Sequence, residues 1–285
     1  MSAPVRLVYM GTPDFAVPSL RALTALGQVV GVVTQPDRPA GRGQKLSPPP
    51  VKQFALAAGL PIIQPARLRE PEAMAQLTAW QPDLIVVAAF GQLLKPAVLD
   101  LPRWGCLNVH ASLLPRWRGA APIAAALLAG DAETGVTLMR MDPGLDTGPL
   151  LARRAEAIRP DDTTPALTAR LAEAGAALLA EQLPAYLRGE LRAEPQDPAL
   201  ATYAPQLKKE DGRLDFSQPA EALARRVRAL LPWPAAFALW QGQPFKILRA
   251  APLPDAGPAE PGLVFQAEQG PAVACGQGAL RLDET

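Results

Sequence analysis

The chain has 285 residues, enough for one large domain or two, and 49% hydrophobic content against 19% charged marks it as globular rather than disordered. A net charge of only +1 gives no bulk attraction to nucleic acid or membrane, so any polyanion contact must come from a local patch. Two distant cysteines, Cys106 and Cys275, and a single histidine argue against a disulfide framework and a structural zinc site, and no apolar run approaches membrane-spanning length.

The 33 prolines, with abundant Ala and Arg, point to a biased coding background, so isolated Pro signals carry little weight. The opening "MSAPVRLVYMGTP" lacks a secretory pattern and leads the reading to a cytoplasmic enzyme-like chain. "VRLVYMG" (5–11) reads as a strand, "PDFAVPSLRALTALG" (13–27) as a helix ending at Gly27, and "VVGVVTQP" (29–36) as a second strand. Helices follow at 49–60 and 71–81, the latter opened by Pro71. "DLIVVAAFG" (83–91) is the most apolar run, as a central parallel strand buried on both faces requires. "CLNVH" (106–110) is a further strand, 119–131 a helix, and 134–142 and 150–158 strands. A long helix spans 161–189, with Thr164 as its expected N-cap.

This alternation predicts an α/β domain over 1–189 with an open, mostly parallel sheet. Pro and polar residues over 190–206 read as a linker. From 207 to 285, "DGRLDFSQPAEALARRVRALLPWP" reads as a strand and a capped helix. The short runs "AAFALW", "QPFKILRA", "PGLVFQAE", "PAVACG" and "GALRLD" then predict a small β-barrel or sandwich.

Ligands of open α/β sheets bind beyond the carboxyl ends of the strands, which puts Gly11, Phe90, Gly91 and His110 at one rim. Asn108 and His110 are two apart on a strand, so they share a face with Cα atoms roughly 6–7 Å apart. Asn can donate to a developing oxyanion and His can move a proton near neutral pH. A strand-end pair capping loop backbone accounts for them equally well. "MDPGLDTGPL" (141–150) offers two carboxylates, Asp142 and Asp146, in a Gly-rich turn, and spacing alone does not bring either to His110. "GTPDF" (11–15) lacks both G-x-G-x-x-G and the P-loop Lys, so it reads as a tight turn into a helix.

"TQPDRPAGRGQKLSPPP" (34–50) has little secondary-structure pattern and sets Arg38, Arg42 and Lys45 against Asp37. Such a loop suits phosphates or an unpaired RNA end, and equally a solvated surface. "ARRVRALLPWP" (224–234) carries Arg225, Arg226 and Arg228 off its apolar face, either for a polyanion or for water.

Together "GTPDFAVPSL", "TQPDRPAGRGQKL", "NVHASLLPRWRGAAPI", "MDPGLDTGPL" and "LLPWPAAF" resemble, in order and over most of the chain, the methionyl-tRNA formyltransferases within the 10-formyltetrahydrofolate-dependent formyltransferases. The resemblance implies a Rossmann-like sheet followed by a small C-terminal β-barrel (OB-like) domain that binds tRNA. It implies formyl transfer from 10-formyltetrahydrofolate to the α-amine of methionyl initiator tRNA for translation initiation, by a cytoplasmic monomer without metal. Asn108, His110 and Asp146 match the catalytic residues. Phe90, Gly91, Gln92 and Leu93, with Ser112, Leu113, Leu114 and Pro115, match the folate pocket. Arg38, Arg42 and Lys45 match the loop that engages the tRNA acceptor end, and Lys209 and Arg228 are expected to add tRNA contacts. Three departures stand out. Ala111 replaces the usual Gly, so its backbone has to suit a side chain. Gln206 replaces a common Lys. The sequence closes at "LRLDET", ahead of the usual C-terminus, so the last part of the barrel is expected to be missing, shortened or replaced, with an edge strand open.

Overall fold

The computed structural model describes residues 4–40, 45–254 and 260–285. The chain forms two compact units, one of residues 1–120, 134–156 and 168–203, the other of 121–133, 157–167 and 204–285.

The first unit holds β1 (Arg6–Gly11), α1 (Val17–Leu26), β2 (Gln28–Val33), β3 (Arg38–Ala40), β4 (Lys45–Ser47), α2 (Pro50–Ala57), β5 (Ile62–Ile63), α3 (Pro71–Ala79), β6 (Leu84–Ala88), α4 (Pro96–Leu99), β7 (Cys106–His110) and β8 (Arg118–Gly119). α5 (Pro122–Ala129) belongs to the second unit. β9 (Glu133–Arg140), β10 (Leu150–Ala157) and α6 (Thr164–Leu187) complete the order up to the polar segment. The main sheet runs β10-β9-β7-β6-β1-β2-β5. β5, β2, β1, β6 and β7 are parallel, and β9 is antiparallel to β7. The order reverses at β1, where a doubly wound sheet opens its ligand crevice.

The central strands β1 and β6 are apolar and buried on both faces. Val8, Met10, Ile85 and Val87 pack with Leu77 and Trp80 on one side, while Leu7, Tyr9, Leu84 and Val86 are equally buried. The prolines discounted as background have places here. α1 to α5 each carry Pro in their first turn, where the missing N–H has no helical partner to lose. The N-cap of α6 is Thr163 rather than Thr164. Thr163 Oγ1 accepts the Ala166 N–H, and the Thr164 hydroxyl donates to the Ala229 carbonyl. Residues 34–50, expected to lack regular structure, contain the antiparallel ribbon β3–β4.

Of the segment 190–206, expected as a linker, residues 190–203 belong to the first unit and are bonded into it. Leu150 and Glu194 exchange backbone hydrogen bonds, and Arg118 N–H donates to Thr202 O. Regular structure in it is limited to a 3-10 turn at Pro198–Leu200 and a two-residue strand, but extended backbone and the side chains of Gln196 and Thr202 still find partners. β11 (Tyr203–Ala204) pairs with β8.

In the second unit α7 (Ala220–Ala229) packs Leu223 and Val227 against Ile247, Ala250 and Leu280. β12 (Ala236–Trp240) and β13 (Gln243–Ile247) form a ribbon. β14 (Arg249–Leu253), β15 (Val264–Ala267), β16 (Gly270–Ala274) and β17 (Ala279–Glu284) form a sheet in the order β14-β17-β16-β15. β17 is therefore paired on both sides, and among the described residues β14 and β15 are the outer strands of this sheet. "DGRLDF", expected as a strand, makes a 3-10 turn at Lys209–Gly212 and one isolated bridge, Arg213 to Phe237.

Candidate active site

β7 runs fully buried to His110, with Asn108 and His110 on the same face. Around its end the fold buries five polar side chains, Asn108, His110, Ser112, Arg118 and Thr137. Buried polar groups need partners, and here the partners define the site. Asn108 Nδ2 donates to Asp146 Oδ1 at 3.4 Å. Asp146 Oδ2 accepts the Gly119 N–H at 2.8 Å and lies 3.8 Å from His110 Nδ1. The His110 Nε2 is 2.9 Å from the Trp117 carbonyl oxygen. A carbonyl only accepts, so Nε2 carries hydrogen and Nδ1 is the ring atom left facing Asp146.

The loop after β9 explains how Asp146 arrives there and why Asp142 does not. Asp142 Oδ1 accepts from the Gly144 N–H and from Thr147 Oγ1, which closes the turn locally. Asp146 sits at φ +53°, a left-handed conformation that costs a non-glycine residue on the order of 1–3 kcal/mol. A Cβ on Gly148 would overlap the Arg140 carbonyl oxygen, so the loop turns back tightly against β9. Gly119 has φ +115°, a conformation glycine tolerates while its N–H reaches the carboxylate. Ala111, where the family usually has Gly, is not among the positive-φ residues, so its side chain causes no backbone conflict.

Other expected residues divide. Phe90 is buried, and its carbonyl accepts from Thr12 Oγ1 and Gln35 Nε2, tying the ends of β1, β2 and β6 together. Gln92 bonds to the backbone of 65–68, while Leu93 is exposed. Ser112 and Leu114 are fully buried, with the Ser112 hydroxyl donating to Arg116 O and Leu114 N–H donating to Thr137 Oγ1. Their side chains support the turn after β7, and only Leu113 and Pro115 of that stretch are half-exposed.

Arg38 is exposed on β3, and Lys209 is exposed on its 3-10 turn. Arg42 and the Lys45 side chain lie outside the described residues. Below the ribbon Asp37 is clamped by Lys52 Nζ, 2.8 and 2.7 Å from its two oxygens, and by Gln64 Nε2 at 2.7 Å. Those bonds, from Gln64 first and then Lys52, hold the Asp37 carboxyl below its ordinary pKa.

Arg228, expected to add a tRNA contact, is half-buried. Its Nη1 donates to Asp162 O, and burial followed by the Arg225 charge lowers its pKa. Arg226 likewise donates to Asp211 O. Both guanidiniums close backbone carbonyls that the helix-face pattern cannot reveal. Sequence reasoning missed Arg118, Gly119, Thr137, Gln196 and Thr202. Only Arg118-Gly119, quoted within "PRWRG", lay inside a recognised stretch. Among the described residues no group of three or more His, Cys, Asp or Glu is placed to hold a metal ion, and no helix is long and apolar enough to cross a membrane.

Comparison with known proteins adds an independent line. Residues 5–183 match the family described as formyl transferase, and residues 206–285 match the formyl transferase C-terminal domain. The methionyl-tRNA formyltransferase of Methylococcus capsulatus is 52% identical over 98% of this chain and 91% of its own length. That of Thiobacillus denitrificans is 55% identical over 98% and 91%. A solved N-formyltransferase from Helicobacter canadensis, in complex with folinic acid and dTDP-3-aminofucose, superposes with a TM-score of 0.73. It shares 16% identity and covers 98% of this chain and 99% of that one, a likeness of fold.

Proposed function

Since the chain belongs to the methionyl-tRNA formyltransferase family, we propose that it transfers a formyl group from 10-formyltetrahydrofolate to the α-amine of methionyl initiator tRNA, with Asn108, His110 and Asp146 performing the chemistry. The observation that carries the residue assignment is the convergence of an amide donor and an imidazole Nδ1 on one carboxylate at the carboxyl rim of the sheet.

10-Formyltetrahydrofolate supplies the formyl group on a nitrogen that can leave once protonated. Asn108 has a second N–H beyond the one given to Asp146, and this hydrogen serves the formyl oxygen as charge builds on it. The neutral amine forms the new C–N bond. His110 Nδ1 takes the amine's surplus proton and returns one to the departing nitrogen as the old C–N bond breaks. Asp146 steadies the transient positive charge on the ring.

The donor set suits an acyl donor of this kind: the Asn108 amide and the His110 imidazole stand at the carboxyl rim of the sheet, and the half-exposed Leu113 and Pro115 follow the end of β7. In this reading the pterin-bearing ligand runs along Phe90–Leu93 and 112–115, where Ser112 and Leu114 contribute backbone rather than side chain. Arg38, Arg42, Lys45 and Lys209 meet the tRNA, and the enzyme works as a cytoplasmic monomer.

The test is to incubate the protein with 10-formyltetrahydrofolate and charged initiator tRNA, beside a nucleotide-linked amino sugar. Formyl should appear on the tRNA. Transfer to the sugar alone would overturn the assignment.

A further inference from the structure

Resting on the proposed reaction, we infer that Gln196 is a positioning residue for Asp146, and that segment 190–206 is part of the catalytic apparatus. Asp146 adopts a left-handed backbone, φ +53°, and other segments hold both its side chain and its main chain. Its carboxylate is held by Gly119 N–H and Asn108. Its main chain is held by Gln196, whose Nε2 donates to Asp146 O at 2.8 Å and to Gly148 O at 2.7 Å.

The other end of the same amide accepts from Arg118 Nε at 3.0 Å and Nη2 at 2.8 Å. Guanidinium groups only donate and carbonyls only accept, so the amide has one permitted orientation. Arg118 is buried and directly precedes Gly119. The bonds therefore close a ring: Gly119 N–H to the Asp146 carboxylate, Asp146 C=O to Gln196, Gln196 to Arg118, and Arg118 back to Gly119 through the chain.

A second contact of the same segment points the same way. Thr202 Oγ1 accepts the Trp117 N–H at 2.9 Å, and Thr202 N–H donates to Pro115 O at 3.3 Å. Trp117, itself at φ +61°, presents the carbonyl that orients His110. One segment thus braces the supports of both the carboxylate and the imidazole. Gln196 and Thr202 lie between the two matched family regions, and nothing in the Pro-rich sequence around them advertises the role.

Gln196→Glu separates positioning from mere satisfaction of Arg118. The carboxylate keeps, and strengthens, the bond to the guanidinium, but it offers no N–H to the carbonyls of Asp146 and Gly148. We expect kcat to fall about 10- to 100-fold, as misplacement near 1 Å produces. KM for folate and for charged tRNA should stay within about twofold, with the melting temperature no lower than wild type by more than a few degrees. The ring resonances of His110, the single histidine, should shift at fixed pH without substrate. Wild-type kcat with unmoved His110 signals would overturn the proposal. If Gln196→Glu does not fold, Arg118→Met decides: it frees Gln196 to turn, and unchanged turnover would overturn the role equally. A wild-type protein that does not formylate tRNA refutes the proposed reaction, while the His110 signals still judge the bracing of Asp146.

Discussion

Replacing Asp146 with Asn keeps the shape of the side chain and removes its charge. Every neighbour of this carboxylate is a donor: Asn108 Nδ2, Gly119 N–H and, once the ring is protonated, His110 Nδ1. Asn brings one acceptor to three donors, so either Gly119 or Asn108 loses its partner, or Asn108 flips and turns its carbonyl where its N–H is needed. The charge term can be sized from the 3.8 Å separation between His110 Nδ1 and Asp146 Oδ2. Coulomb attraction there is ~4 kcal/mol at an effective dielectric of about 20 and ~1 kcal/mol in bulk water. The side chains are 7% and 14% exposed, which favours the interior figure. With tenfold in rate per about 1.4 kcal/mol, a loss of about 10³ in kcat is expected, with little change in KM. Steady-state formyl transfer to charged tRNA, with a melting curve to show that the variant folds, checks it. A folded Asp146→Asn enzyme within about threefold of wild-type kcat would refute the electrostatic argument.

The Asp37 clamp should show in acid. Its folded pKa is lowered, so its contribution is present above the unfolded value of about 3.9 and is lost as pH falls through the folded one. Melting temperature should drop below about pH 4 more steeply in wild type than in Asp37→Asn, and equal slopes would count against the clamp. Arg228→Ala should cost stability, about 1–3 kcal/mol for an unpaired Asp162 carbonyl, while leaving tRNA KM unchanged. A raised tRNA KM in a fully stable variant would restore the sequence expectation. Burial pushes the Cys106 thiol up to about 12 and the Cys275 thiol up to about 11, so at pH 8 almost no thiolate exists. Neither should react with iodoacetamide until the protein is unfolded in urea, which mass spectrometry would read directly.

How far the sequence reveals these features depends on whether a residue acts through periodicity. Asn108 and His110 are legible because a strand's two-residue repeat puts them on one face whatever surrounds them. β6 is legible because LIVVA has no polar side to turn outward. Asp146 and Asp142 are indistinguishable by spacing. The difference lies in Asp142 closing its own turn with Gly144 and Thr147, a local hydrogen-bond choice that Gly-rich sequence leaves open. Arg226 and Arg228 are ambiguous for a related reason. Helical spacing says which side they occupy, not whether a carbonyl from another segment waits there. Gln196 is invisible because irregular segments bond through single side chains, and one Gln among prolines has no pattern to betray it.

The same irregular segment bears on how such a protein can be recombined. By sequence, the natural seam between the halves is the end of the long helix, near residue 189. A hybrid joined there would take Gln196 and Thr202 from the donor of the C-terminal half while keeping Arg118, Trp117 and Asp146 from the other parent. Hybrids crossed after residue 203 inherit the complete set of bonds from one parent. Turnover of paired chimeras, matched in every residue except 190–203, would therefore vary with the parentage of fourteen residues that never approach the substrate in the proposed mechanism.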